Sequence, residues 1–256
     1  MSTAALLWTL SFTALAAVLS VYQRLGLERD IAVGAVRAGV QLLAVGYVLR
    51  LVFRAHSWLY TGLMLTVMVA AAVQVATRRG GGMPGTRSRV AVAIAAAEIV
   101  TVGLMLVTGQ IRFVAEHVIP LSGMVVGQSM VTAGLLLNRL RSEVGLRREE
   151  VQVWLSLGAS PRQAVDRALR SAVRASMIPS IDSLKTVGLV QLPGMMTGQI
   201  LAGADPVVAV RYQILVMFSL TSAAALTSIL LGLLAYPLLF TPAQQLRPIE
   251  GSPAAD

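Results

Sequence analysis

Residues 192–199 hold the side chains best suited to binding an ion, since this segment reads Leu-Pro-Gly-Met-Met-Thr-Gly-Gln. Met thioethers are soft metal ligands, whereas amide and backbone carbonyl oxygens are harder ones. The proline and the two glycines would also interrupt a helix that contains them. The segment is therefore either a kink in which Met side chains fill gaps, or a constriction in a substrate path.

Further candidate path residues lie on a separate apolar stretch. Met124 and Gln128 are four residues apart, as are Gly123 and Gly127, which is the spacing of neighbours on one face of a helix. We expect this face to be turned toward residues 192–199. The candidate substrate-path residues are Glu98, Met124, Gln128, Met130, Met195, Met196 and Gln199.

The sequence contains no recognisable catalytic constellation. It has no nucleophile elbow, no paired-carboxylate site and no His-Glu cluster. His56 and His117 are isolated near the ends of apolar stretches, and there is no cysteine. We therefore expect a chain that is not an enzyme and binds no metal cofactor of its own.

The composition indicates an integral membrane protein. Of 256 residues, 56% are hydrophobic and 13% are charged, whereas about a quarter are charged in a soluble domain. The net charge of +9 would also suit nucleic-acid binding, but excess arginine in a membrane protein marks its cytoplasmic loops. The expected environment is thus a lipid bilayer, with no nucleic-acid partner.

Apolar runs of spanning length predict an all-α fold with about seven transmembrane helices, six being the alternative count. The first run is either a retained helix or a cleaved signal peptide, and the absence of a basic n-region favours the helix. Residues 1–240 are expected to form one transmembrane domain, followed by a disordered tail at 241–256. The runs lie at residues 4–21, 31–51, 57–76, 89–108, 118–137, 184–203 and 212–239.

Two basic regions determine the predicted orientation in the cell membrane. Residues 78–89 carry four arginines and no acid, and two predicted spans separate them from the basic stretch 139–185. Both regions are therefore expected in the cytoplasm, which places the amino terminus outside and the carboxyl terminus inside. The loop with Arg50 and Arg54 is an exception, because this scheme places it outside.

Two opposite charges fall within predicted spans. Arg37 lies about six residues and Glu98 about nine residues from the cytoplasmic side, which corresponds to depths of roughly 9 and 14 Å. They are expected either to form an intramembrane ion pair that fixes helix register, or to leave Glu98 free to bind a cation or a proton. Asp182 and Lys185 are expected to form a solvated local pair instead.

The basic stretch also contains a predicted helical hairpin, at about residues 139–178. Gly158 can adopt the left-handed conformation that ends a helix, Ser160 is a preferred N-cap, and Pro161 suits the first helical position. Gln163 completes a capping box with Ser160. The sequence thus predicts a helix, a sharp turn and a second helix.

The second helix of this hairpin is predicted to be amphipathic. Alanines and branched residues repeat every four residues along one face, and Arg162, Asp166, Arg170 and Arg174 line the other. The hairpin either rests on anionic lipid headgroups or docks a cytoplasmic partner through Trp154 and Leu157.

Residues 152–159, which read Gln-Val-Trp-Leu-Ser-Leu-Gly-Ala, resemble the EAA loop that forms the coupling helix of ABC transporter permeases. Gln152 stands where that loop has Glu, and the Ile-x-Leu-Pro expected about ten residues after Gly158 is replaced by a later Ile178-Pro179. The residues that this resemblance assigns to ATPase coupling are Gln152, Trp154, Leu157, Gly158, Ala159, Ser160, Pro161 and Arg162.

Residues 187–214, from Val-Gly-Leu-Val-Gln-Leu-Pro-Gly-Met-Met to Arg-Tyr-Gln-Ile, closely resemble the signature of one permease family. That family contains the bacterial Fet-type iron-export permease and the plant aluminium-sensitivity permease. Residues 121–128 and the 157–161 turn fit it in order and spacing, and the resemblance runs from about residue 20 to 240. It implies an ABC-type permease that works as a homodimer and exports iron or another metal ion.

The resemblance also implies a separate ATPase subunit that carries ATP and Mg. The sequence supports this independently, because Lys185 is the only lysine and no phosphate-binding glycine loop precedes it. Two alternatives stay open, namely an organic substrate such as a sugar nucleotide, and a carrier or channel that needs no ATPase. A membrane-embedded enzyme is disfavoured by the lack of catalytic groups.

Overall fold

The computed structural model describes residues 8, 10–55, 57–79 and 85–248, and these residues form α-helices joined by short turns, with no strand among them. This confirms the all-α prediction. The helices are α1 (Leu10–Tyr22), α2 (Glu28–Ala55), α3 (Trp58–Arg79), α4 (Thr86–Val107), α5 (Ala115–Leu146), α6 (Arg148–Ser156), α7 (Pro161–Ala164), α8 (Asp166–Thr186), α9 (Gly194–Leu201), α10 (Pro206–Ala235) and a 3-10 helix at Tyr236–Leu239.

Five helical stretches are long and apolar enough to cross a bilayer, which makes the chain a multi-pass membrane protein. They are α2, α3, α4, α5, and α10 together with the 3-10 helix. Helix α1 is apolar but has only 13 residues within the described part of the chain. Most of the residues before it lie outside the described range.

The chain divides into two compact units, residues 1–60 and residues 61–256. In the first unit α1 packs against α2, and a short turn joins them. Ser20 fixes this turn, since its hydroxyl accepts a hydrogen bond from the Leu27 backbone N–H at 2.9 Å and donates one to the Glu28 carboxylate at 3.1 Å.

The second unit is built around α4, α5, α8 and α10, and its buried apolar side chains form two clusters. The larger one, the basic-end cluster, includes Val90, Leu136, Leu169 and Leu231, next to the arginine-rich turns. The smaller one, the opposite-end cluster, lies toward the other ends of the same helices. It consists of Val102, Met105, Ile111, Leu121, Val125, Val216 and Ala223.

The two clusters show in which direction each helix of this unit runs, because the two ends of a helix belong to different clusters. Helix α4 starts in the basic-end cluster and ends in the opposite-end cluster, whereas α5 and α10 run the other way. Helix α8 begins in the basic-end cluster at Ala168 and Leu169, and α9 reaches the opposite-end cluster through Met195. Helices α8 and α9 therefore cross the unit together as one broken span.

The position of the break within residues 184–203, predicted at Pro193, Gly194 and Gly198, is the main difference between the predicted and the observed fold. Helix α8 ends at Thr186, an irregular turn follows, and α9 starts only at Gly194. Gly188 takes a positive φ of 83°, and its N–H donates to the carbonyl of Gln191 at 3.0 Å. This local hydrogen bonding closes a turn where the apolar composition alone indicated a continuous helix.

Small residues let α8 and α10 approach closely. A Cβ placed on Gly232 of α10 would lie 3.0 Å from a methyl carbon of Leu169 and 3.4 Å from one of Val173. One turn earlier in α10, the hydroxyls of Ser176 and Ser228 are 2.7 Å apart in a buried hydrogen bond. The two helices are thus held together by close packing and by a polar contact that lipid cannot replace.

The start of the predicted disordered tail folds back on the helices. Leu239 and Phe240 are buried in the basic-end cluster, and Phe240 pairs with Leu246 in an isolated bridge. The Arg247 side chain donates to the carbonyl of Phe240 at 2.9 Å. Residues 241–248 therefore have a defined conformation, and the rest of the tail lies outside the described residues.

Replacement of Gly232 by leucine is expected to destabilise the second unit. The added side chain overpacks the contact with α8, which costs about 1–3 kcal/mol in a well-packed core. Gly103→Leu in α4 is the matched control, because nothing lies within 4 Å of its Cβ position. Thermal unfolding in detergent measures both, and equal melting temperatures for the two variants would contradict the packing described for α8.

Candidate functional site

The corner of the helical hairpin is fixed by its own backbone hydrogen bonds. Helix α6 ends at Ser156, and Gly158 follows with a positive φ of 85°. The N–H of Gly158 donates to the carbonyl of Leu155 and that of Ala159 to the carbonyl of Trp154, both at 3.0 Å. This double pattern is the Schellman motif, so glycine at 158 ends the helix as the sequence predicted.

The next helix begins with the predicted capping box. The Gln163 N–H donates to the hydroxyl of Ser160 at 3.4 Å, and the Gln163 amide oxygen accepts from the Ser160 N–H at 2.9 Å. Pro161 occupies the first helical position, where no N–H is needed. Two successive caps therefore hold the chain from Trp154 to Gln163 in one rigid corner.

The corner carries apolar side chains that are exposed at the surface of the protein. Leu157 is 75% exposed and Trp154 is 45% exposed, and Gln152 is exposed on the same short helix. A shallow groove of about 570 Å³ runs beside them. Its walls are formed by Trp154, Leu157, Gly158, Ala159, Arg162, Gln163 and Asp166.

The other side of the hairpin contacts the rest of the second unit. Val151 is buried in the basic-end cluster, and Glu150 forms a salt bridge with Arg167 at 3.0 Å. Arg162 lies over the ring of Tyr236, 5.4 Å from its centroid, which is within the range of a cation–π contact. The corner is thereby connected to the end of α10, a contact that the sequence did not predict.

The apolar stripe of the second helix is covered by protein rather than by lipid headgroups. Ala164, Ala168, Leu169 and Ala172 are buried against α5 and α10. The opposite face is exposed and carries the Asp166–Arg170 salt bridge at 2.7 Å. Of the two interpretations, the helix lying on headgroups is wrong, because the stripe that would enter the bilayer surface is already buried.

Residues 192–199 form the end of the irregular turn and most of α9, beside the opposite-end cluster. Met195 packs on the opposite-end cluster, and Met196 is half-buried. The amide oxygen of Gln199 is buried without a hydrogen-bond partner among the described residues. In the turn before α9, Leu189 is 90% exposed and Val190 is nearly as exposed.

The three candidate path residues of α5 have different surroundings. Met124 packs on the same cluster as Met195, so these two side chains lie in one region. Gln128 donates to the hydroxyl of Ser180 on α8 at 3.0 Å. Met130 packs on the basic-end cluster instead. Of the three, Met124 is thus the one that the structure places near the Met195 side chain.

Glu98 is the buried acid of α4. It is 9% exposed, and neither carboxylate oxygen has a hydrogen-bond partner within the described part of the chain. It also lines a groove between α3 and α4. Arg37 belongs to the first unit, and each unit is described by itself, so the predicted Arg37–Glu98 pair stays a prediction.

The remaining charged and histidine candidates do not form a metal site in the described chain. Asp182 and Lys185 pair at 3.9 Å and are both exposed, as expected for a local pair. The ring nitrogen Nδ1 of His117 accepts a bond from the Arg112 N–H at 3.4 Å. His56 lies outside the described residues, and within them no three His, Cys, Asp or Glu side chains converge.

Comparison with known proteins gives a family match that covers nearly the whole chain. The profile described as "Uncharacterised protein family (UPF0014)" matches residues 3–240. The UPF0014 membrane protein YjkA of Bacillus subtilis (strain 168) is 50% identical over 242 residues, which is 94% of this chain and 97% of the relative. No solved structure matches the chain.

Two further relatives carry functional names. The probable iron export permease protein FetB of Escherichia coli (strain K12) is 39% identical, over 93% of this chain and 92% of its own. Protein ALUMINUM SENSITIVE 3 of Arabidopsis thaliana is 35% identical, over 91% of this chain and 85% of its own. The profile match and these identities, each over more than nine-tenths of the chain, show that the protein belongs to the UPF0014 family.

Proposed function

We propose that this chain is the transmembrane subunit of an ABC-type exporter and that a separate ATPase docks on its 154–163 corner. The observation that carries the proposal is the doubly capped corner with exposed Trp154 and Leu157. Rigid, apolar and solvent-exposed side chains are typical of protein docking sites. The hairpin resembles the EAA loop, and the relative FetB is named a probable iron export permease.

The position of the corner agrees with a cytoplasmic partner. It lies at the arginine-rich end of the second unit, where the last turn of α3 carries Arg78 and Arg79 and the first turn of α4 carries Arg87. Excess arginine marks cytoplasmic loops, so the corner faces the compartment that contains ATP. Under this proposal ATP and Mg are bound by the partner subunit, and the chain itself is not catalytic.

Motion is transmitted through α8 in this mechanism. The corner continues directly into α8, which packs on α5 and α10 and ends at the irregular turn of the broken span. Closure of the ATPase pair would move the two corners of a homodimer toward each other and shift α8 as a rigid element. The turn at residues 187–193 is where such a shift can change access to the substrate path.

The homodimer is supported by the exposed turn of the broken span. Irregular backbone at membrane depth is tolerated only where it is buried in protein or lines a water-filled cavity. In the second unit this turn leaves Leu189 and Val190 uncovered. A second copy placed against it would cover both side chains and form a shared path between two broken spans.

By analogy with FetB, the proposed substrate is iron or another metal ion moved outward. An organic substrate and ATPase-independent transport are the competing possibilities. The experiments below distinguish both of them from ATP-driven metal export.

Leu157→Asp is expected to weaken docking of the proposed ATPase partner by at least roughly tenfold, because a charge replaces an apolar docking side chain. Stimulation of ATP turnover by the permease should fall in parallel. Leu146→Asp is the matched control, since Leu146 is 80% exposed at the end of α5 but lies outside the corner. Unchanged affinity and turnover in the Leu157 variant would show that the corner is not the dock.

Cysteine introduced at Leu189 is expected to form a disulfide between two copies in the membrane, because the natural chain contains no cysteine and the turn is placed at the dimer axis. Ile99→Cys is the control, as Ile99 is also strongly exposed, on α4. Non-reducing gels of oxidised membranes give the result. Equal dimer yields for the two variants would count against a dimer formed at the broken span.

The reconstituted permease–ATPase complex is expected to hydrolyse ATP faster when iron salts are present. Metal ions and nucleotide sugars are compared in the same proteoliposomes. Stimulation by nucleotide sugars alone would refute metal export, and transport that persists in energy-depleted vesicles would refute ATP coupling.

A further inference from the structure

The carboxylate of Glu98 is the least satisfied charged group in the described part of the second unit. It lies about 18 Å along α4 from the start of the helix at Thr86, given a rise of about 1.5 Å per residue. Both of its oxygens are buried and neither has a hydrogen-bond partner among the described residues. A buried carboxylate without a partner is strongly unfavourable in a membrane-spanning helix, so it must be neutralised either by a bound cation or by a proton.

Two hydroxyl groups accompany this carboxylate. Thr101 lies three residues further along α4 and therefore on the same helical face. Ser122 of α5 lies beside the carboxylate, outside hydrogen-bonding geometry. The hydroxyls of Thr101 and Ser122 are buried and, like the carboxylate, have no partner in the described residues. Four unpaired oxygen atoms thus belong to three neighbouring side chains.

The oxygen atoms of these three side chains favour one class of cation. One carboxylate and two hydroxyls are hard oxygen ligands, which favour hard cations over soft ones. A cation would neutralise the carboxylate and satisfy the hydroxyl lone pairs at the same time. The Met124 and Met195 thioethers, which would favour a soft ion, pack on the adjoining opposite-end cluster and are not among the unpaired oxygen groups.

A route leads from the basic end of the unit to this position. The groove between α3 and α4 has a volume of about 870 Å³, and Glu98 forms part of its wall. Thr66 and Ser88 contribute hydroxyls along the groove, and Arg87 lies at its basic end. The groove therefore connects the proposed cytoplasmic side with the buried carboxylate.

We infer that Glu98, Thr101 and Ser122 form a binding site for a hard, oxygen-seeking metal cation. The inference deepens the proposed function, on which its role in transport rests, by assigning the class of the transported ion. The binding site itself can be tested on the permease alone. Its occupant is then a metal cation, and not a proton or the guanidinium of Arg37, which are the two other partners that the sequence allowed.

The test uses the purified full-length permease in detergent, without the ATPase and after treatment with a chelator. Mn²⁺ serves as the hard-cation probe, and the loss of its free-ion electron paramagnetic resonance signal measures binding. We expect one Mn²⁺ per chain in the wild-type protein. Glu98→Gln should weaken binding at least roughly tenfold, because outer-sphere changes alone cost a metal site 10- to 100-fold.

Three further variants complete the test. Glu116→Gln changes an exposed acid near the start of α5 and should leave binding unchanged. Ser122→Ala and Thr101→Val each remove one hydroxyl and should weaken binding by less than Glu98→Gln does. They also keep the test decisive if Glu98→Gln fails to fold. Binding that is equal in the wild type and in the Glu98, Thr101 and Ser122 variants overturns the inference, as does a wild type that binds no Mn²⁺.

The result of the Mn²⁺ binding test can be told apart from the result of the ATPase docking test. A permease that docks the ATPase but binds no Mn²⁺ retains the exporter role and loses the cation site. A permease that binds Mn²⁺ through Glu98 but fails to dock the ATPase retains the site and loses the ABC mechanism.

Discussion

The close contact of α8 with α10 is the interaction that joins the helix after the corner to the last membrane span. Gly232 allows Leu169 and Val173 to approach the α10 backbone, and the Ser176–Ser228 hydrogen bond holds the helices at that distance. Without a hydrophobic drive between helices in lipid, such packing and polar contacts are what stabilise a bundle. Because α8 begins directly after the capped corner, this contact also determines how rigidly the corner is joined to the membrane helices.

Under the proposed function, this arrangement lets one helix serve both as a docking support and as part of a span. Its first turns carry the exposed acidic and basic side chains on one face and the buried alanines on the other. Its last turn reaches the irregular segment at residues 187–193, where the backbone stops being helical. The Arg162–Tyr236 contact adds a second connection, from the corner to the end of α10. Under the proposed function, a displacement at the corner would pass to the membrane helices through these packed contacts and not through a flexible linker.

Features that depend on neighbouring residues were predictable from the sequence. Gly158, Ser160 and Pro161 determine the corner locally, and their predicted roles agree with the structure. Composition also identified most spans, and Pro193, Gly194 and Gly198 indicated that the run 184–203 is interrupted. They did not show that the irregular turn lies at residues 187–193, because an apolar turn and an apolar helix look alike. Contacts between distant residues, such as Gln128 with Ser180, left no periodic signal. The Arg162–Tyr236 contact was missed for the same reason, although a tyrosine at the end of the last span was visible.

The proposed mechanism requires the 154–163 corner to contact an ATPase in the membrane-embedded complex. A photo-crosslinking amino acid at Leu157, the most exposed apolar side chain of the corner, probes this contact in proteoliposomes that contain both subunits. We predict a crosslinked adduct of permease and ATPase from position 157 and none from position 146. Adducts with lipid alone at position 157, in a complex that still hydrolyses ATP, would contradict the mechanism.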